Sequence, residues 1–162
     1  MTVPTPPHSD QLADLGAMRF GPLVGLTARQ WRRAMDVRLA ELKLTQATWV
    51  PLLQLARSSK PMRQKDLAAA LAVDSSSVVR ILKMLAADGL IERAQDQADG
   101  RAKAIRITDT GRALADRAER VSEALDRELL AAIPDDQIAS ARALMVTINT
   151  YLLATNALDA PA

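Results

Sequence analysis

Residues 96–109, DQADGRAKAIRITD, decide how this chain is read. A polar, turn-forming run ends in Asp99-Gly100-Arg101 and passes through Lys103 into a short strand-like stretch. Ahead of it, Leu90-Ile91-Glu92-Arg93 reads as the partner strand. The helical segment before that closes at Asp88-Gly89, because a glycine there can take the left-handed conformation that ends a helix. The order is therefore helix, strand, basic hairpin, strand.

Working outward, 162 residues suit one domain, enough to bury about 70% of the unfolded surface. The absence of cysteine excludes disulfides, thiolate metal sites and cysteine redox sensing. The single histidine, His8, stands among prolines, so no metal site or cofactor is expected. No apolar run nears the ~20 residues needed to span a bilayer, and the N-terminus lacks a basic-then-apolar signal. A cytoplasmic, nucleoid-associated protein with no membrane partner is the expectation. Net charge is only +2, but it is unevenly placed. Residues 57–112 hold eleven Lys or Arg against seven Asp or Glu, while the flanks are net acidic, as suits a central module that meets a polyanion.

Residues 1–17, with prolines at 4, 6 and 7, read as a flexible arm. From Phe20 onward, Phe20, Val24, Trp31, Met35 and Leu42 share one helical face. Thr45 reads as an N-cap, with Leu44 and Trp49 placed as a hydrophobic staple, for a helix reaching about Arg57 and expected to bend at Pro51. After a turn at Ser58-Ser59-Lys60-Pro61, residues 63–71 form a short helix. Asp74, between Val73 and Val78 in staple positions, caps a helix of about fifteen residues. On it Val78, Ile81, Leu82 and Leu85 cluster on one side, and Ser76, Arg80 and Lys83 on the other. Two long helices follow, 109–132 and 135–155, the second with Ile138, Ala141, Leu144 or Met145, Ile148 and Leu152 at helical spacing.

Taken alone, Ser75-Ser76-Ser77 serves equally as a helix start, and Arg80 and Lys83 as solvated charges. Order discriminates: a short helix, a tight turn, a second helix and a hairpin with arginine at its tip make a helix-turn-helix with a wing. Small hydroxyls let such a helix approach a groove, where serine donates to phosphate or base edges, Arg80 reaches further and Val79 meets a thymine methyl.

At this point the chain resembles the MarR family of winged-helix regulators, and within it the SlyA-like subgroup. The blocks that carry the likeness are LTQATWV (44–50), QKDLA (64–68), SVVRIL (77–82), DGLIER (88–93), DGRAK (99–103) and TDTG (108–111), spread over a match from about 20 to 155. The resemblance implies a mainly α fold with a small β-hairpin wing: a winged helix-turn-helix over 44–108, in a dimer whose terminal helices, 18–43 and 109–156, form the dimerisation region. It implies double-stranded DNA as partner, a homodimer, and a pseudo-palindromic operator. It also places Gln64 and Lys65 near the start of the supporting helix, Ser75, Ser76, Ser77, Arg80 and Lys83 in the recognition helix, and Lys103 on phosphate. Arg101 is carried into the minor groove, where narrow walls concentrate negative potential, with Asp99 orienting its guanidinium. Gly100 departs from the subgroup, where a second basic residue is common.

The resemblance further implies a sensor released by a small aromatic carboxylate, held between the terminal helices and the DNA-binding part. Trp31 and Trp49 would supply indole walls, and Arg29, Arg32 or Arg38 the countercharge. A core tryptophan with a snorkelling arginine explains the same residues equally well. No catalytic set is assembled: the only histidine lies in the arm, and neither a phosphate-binding glycine loop nor a base for the serines appears, so no enzyme is expected. The expected function is a DNA-binding transcriptional repressor. A winged-helix module that binds protein, and an activator that displaces a silencing protein, stand as the alternatives.

Overall fold

The computed structural model describes residues 14–95 and 103–158. A helical turn at 14–17, in the stretch expected to be a loose arm, precedes α1 (Phe20–Leu39) and a 3-10 turn at Ala40–Leu42. There follow α2 (Gln46–Arg57), β1 (Met62–Arg63), α3 (Gln64–Leu71), α4 (Ser75–Ala87), β2 (Ile91–Gln95), β3 (Lys103–Ile107), α5 (Asp109–Leu130) and α6 (Asp135–Leu158). The winged-helix order is present, mostly helical with one small antiparallel sheet.

Local chemistry sets most of these boundaries. Thr45 caps α2 in extended conformation, and the Thr48 hydroxyl accepts from the Thr45 N–H at 3.0 Å, satisfying a donor that would otherwise be orphaned. The flanking Leu44 and Trp49 are both buried, as a staple requires. α2 runs through Pro51 without ending. Three helix ends close by one pattern, in which the N–H of a left-handed residue and that of the residue after it turn back onto the last turn. Lys43 and Leu44 donate to Ala40 and Leu39, Ala72 and Val73 to Ala69 and Ala68, and Gly89 and Leu90 to Ala86 and Leu85. Only the third uses glycine (φ +68°). Ala72 (φ 51°) makes the tight turn of the helix-turn-helix at the steric cost a Cβ imposes there.

The sheet has three strands in the order β1-β3-β2. β1 is not expected from sequence, which assigns Arg63 to a helix start and Met62 to no element: Met62 pairs with Ile105 and Arg63 with Ala104. Two residues carry no periodicity of their own, so only the partner strand reveals them. In the β2–β3 ladder, Ile91 faces Ile107 and Arg93 faces Ile105. The core beneath combines Leu52, Leu55, Leu67, Val78 and Leu85 with Ile91, Ile105 and Ile107. Of the face expected on α1, Met35 is buried while Phe20 is 50% exposed; Leu39, outside that pattern, is fully buried.

The chain divides into two compact units, Met1–Ser122 and Glu123–Ala162, with α5 running across the division. In the second unit α6 exposes Leu144, Met145, Val146, Tyr151, Leu152 and Leu153. At ~100° per residue they spread over about 220° of the helix, wider than the single stripe expected from sequence. No helix among the described residues is long and apolar enough to cross a membrane.

Candidate nucleic-acid interface

The exposed side of α4 is organised by its cap. Asp74 is extended (φ −69°, ψ 154°) and its carboxylate accepts the Ser77 N–H at 2.9 Å, the Ser77 hydroxyl at 2.7 Å, and the Ser76 hydroxyl. Hydrogen bonds from the Ser76 side chain first, then from Ser77, hold its pKa far below the usual carboxylate range. Two consequences follow for the serines. Each hydroxyl has one proton, and both protons are committed to Asp74, so Ser76 and Ser77 present only lone pairs outward. They offer acceptors where the sequence reading expected donors to phosphate.

Val78 and Leu85 anchor the opposite side of α4 in the core, so Arg80 and Lys83 stand exposed on the outer side with Ser76, and Ser77 is exposed on the flank. Lys65 is exposed on the first turn of α3, and Gln64 beside it is half-buried and hydrogen-bonded. The structure thus brings Gln64, Lys65, Ser76, Ser77, Arg80 and Lys83 onto two successive helices joined by the Ala72–Asp74 turn. Ser75 is the first residue of α4 and Lys103 the first of β3, but their side chains lie outside the described residues, as do Asp99 and Arg101 altogether.

A joint that sequence reasoning missed fixes the base of the hairpin. Thr108 donates its N–H to Leu90 O at 3.1 Å and its hydroxyl to Gly89 O at 2.9 Å, while its Oγ1 accepts the Gly111 N–H at 3.0 Å. One threonine therefore caps α5 and clamps it to the start of β2. Gly111 makes the approach feasible, since a Cβ there would lie 2.1 Å from Leu90 O and 2.9 Å from Ile107 Cγ1. The signal for this joint in the TDTG block is a glycine in the first turn of a helix, where only close packing calls for one. Arg112 Nη1 then donates to Ala56 O at 2.7 Å, and Arg57 pairs with Glu119 at 2.6 Å, joining α5 to the end of α2.

The residues proposed for a ligand are not gathered in one place. A groove of about 500 Å³ opens between α1, α2 and the helix-turn-helix, lined by Arg32, Asp36, Val50, Pro51, Val73 and Ile81 among others. Of the five, only Arg32 lines it, and its Nε donates to Ala28 O at 3.2 Å. Trp49 is buried with its Nε1 unpartnered, Trp31 is half-buried, Arg29 is exposed, and Arg38 donates to Ala34 O within its own helix at 3.3 Å. Asp36 in the same groove accepts the Gln46 N–H.

Known proteins share this fold. The profile of the MarR family matches residues 44–103. The solved transcriptional regulator PA3341 is 32% identical, over 84% of this chain and 99% of that protein, with a TM-score of 0.76. CouR from Rhodococcus jostii RHA1, solved bound to p-coumaroyl-CoA, is 27% identical over 83% of this chain and 93% of its own, with a TM-score of 0.72. MepR of S. aureus, solved as a DNA complex, is 20% identical over 83% of this chain and 98% of its own, with a TM-score of 0.76, a likeness of fold alone.

Proposed function

The chain belongs to the MarR family, and from that premise we propose that it is a transcriptional regulator that binds double-stranded DNA as a homodimer and represses from a pseudo-palindromic operator. One observation carries the reading: Arg80, Lys83 and Ser76 stand exposed on the side of α4 that faces away from Val78 and Leu85, with Ser77 exposed on its flank. A helix anchored on one side and bearing cations on the other suits a major groove. Arg80 is the long reader, Lys65, Lys83 and Lys103 meet phosphates, Gln64 and Ser75 border the contact, and Arg101, oriented by Asp99, enters the minor groove. Because their protons are held by Asp74, Ser76 and Ser77 accept from base amino groups such as adenine N6 or cytosine N4. The blocks at 77–82 and 99–103 favour the SlyA-like subgroup, and the protein acts in the cytoplasm on nucleoid DNA.

Gel-shift titrations over a salt series test the assignment. Arg80→Ala changes which operator bases matter, whereas Arg101→Ala weakens binding evenly and lowers the salt slope by about 1. Operator binding unchanged in both variants would overturn it.

Release by an anionic aromatic ligand belongs to the same proposal, supported by the groove at Arg32 and by a relative solved with an aromatic acyl-CoA. Arg32 provides the countercharge there, with Trp31, Trp49, Arg29 and Arg38 on the same two helices. Tryptophan fluorescence titrated with salicylate-like acids follows binding through Trp31 and Trp49. Quenching together with operator release supports the effector, and neither signal rejects it.

A further inference from the structure

Away from the exposed side of α4, three cations converge on one pocket at the base of the sheet. A cavity of about 290 Å³ lies among the 58–61 loop, the end of β3 and the first turn of α5. Lys60, Arg106 and Arg112 line it with Ser58, Ser59 and Asp109, so three cations meet one carboxylate. Its floor is apolar and buried, formed by Leu55, Ile105 and Ile107. Nearby cations are matched: Arg57 has Glu119, and Arg112 spends one donor on Ala56 O at 2.7 Å, which leaves four of its five N–H groups. Lys60 and Arg106 have no ion-pair partner among the described residues. Even the loop is already folded for the purpose, with the Ser58 hydroxyl closing it onto Lys60 O at 2.6 Å.

We infer that this pocket binds inorganic hydrogenphosphate. The surplus of two positive charges matches a dianion, and guanidinium forks suit a tetrahedral oxyanion. Asp109 sharpens the choice. A carboxylate repels any fully deprotonated oxyanion but accepts a hydrogen bond from a P–OH, which hydrogenphosphate retains near neutral pH and sulfate and carboxylate ligands lack. A DNA phosphodiester has no such proton either, and Arg106 and Ile107, which line the pocket, lie roughly 10–13 Å along β3 from Lys103 by strand rise. An occupant would bridge three elements: the loop that leads into β1, the end of β3, and the start of α5.

Calorimetric titration and thermal melting of the full chain with inorganic phosphate, against sulfate at equal ionic strength, test this without any readout from DNA, so the result stands apart from the regulator reading. Phosphate binds once per chain and raises the melting temperature with concentration, as a ligand selective for the folded state must, and sulfate does neither. Lys60→Ala and Arg106→Ala, both at exposed positions, each weaken phosphate at least tenfold, and Asp109→Asn abolishes the preference over sulfate. Absence of binding at millimolar phosphate, equal responses to phosphate and sulfate in the parent chain, or binding that survives the Lys60→Ala, Arg106→Ala double substitution would each overturn the proposal.

Discussion

Gly111 shows how much one missing atom decides. Its Cβ would enter the van der Waals shell of Leu90 O, a backbone atom that already accepts from Thr108 and cannot swing aside. Alanine is the better helix former by about 1 kcal/mol, but overpacking costs about 1–3 kcal/mol, and the contact at Leu90 puts this site at the upper end. Gly111→Ala is therefore expected to lower the urea midpoint, with a net loss of ~1–2 kcal/mol. An unchanged midpoint would mean α5 moves freely from the sheet. Asp74 makes a pH prediction. Its folded pKa is depressed, so the stability it contributes is complete above the ordinary carboxylate range and declines as pH falls below about 4. Asparagine keeps a capping oxygen but cannot ionise. Melting curves of the parent and Asp74→Asn should then converge as pH drops from 5 towards 2, and a constant gap would refute the linkage. Asp74 was legible as a cap from its spacing alone; its hold on both serine hydroxyls needed side-chain positions.

Among the elements, the helix ends were the most readable, because each depends on residues within four positions of it. Thr45, Asp74 and Gly89 were placed from sequence and close their helices in the structure. β1 was not readable, since Met62 and Arg63 become a strand only by pairing with Ile105 and Ala104, about forty positions away. The wing carries its own prediction. In the proposed reading Arg101 and Lys103 are the only cations at the wing's tip, with Gly100 where the subgroup commonly has another, so Gly100→Arg should tighten operator binding and steepen the dependence of log K on log salt by about 0.9. A filter-binding series at several salt concentrations measures it; an unaltered slope would remove the tip from the interface.

At the scale of the molecule, α6 calls for a partner. A helix apolar over more than half its circumference is stable in water only when covered, and Tyr151 and Leu153 are 72% and 69% exposed in the single chain. A second copy is the occupant we propose, consistent with two half-sites one DNA turn apart. Sedimentation should give twice the 17.5 kDa chain mass, and Leu152→Lys with Leu153→Lys should raise the dimer dissociation constant more than about tenfold, each buried leucine contributing ~1.5–3 kcal/mol. A parent chain that sediments as a monomer at micromolar concentration would reject this. By itself, then, the sequence determined the element order, the caps and the two sides of α4, because those are set by contacts a few residues apart. Tertiary structure alone decided the three-stranded sheet, the clamping of Thr108 and Gly111 against Leu90, and the meeting of Lys60, Arg106 and Arg112. Each of these arises where distant segments close on one another, and no local periodicity records which residues will face each other once they do.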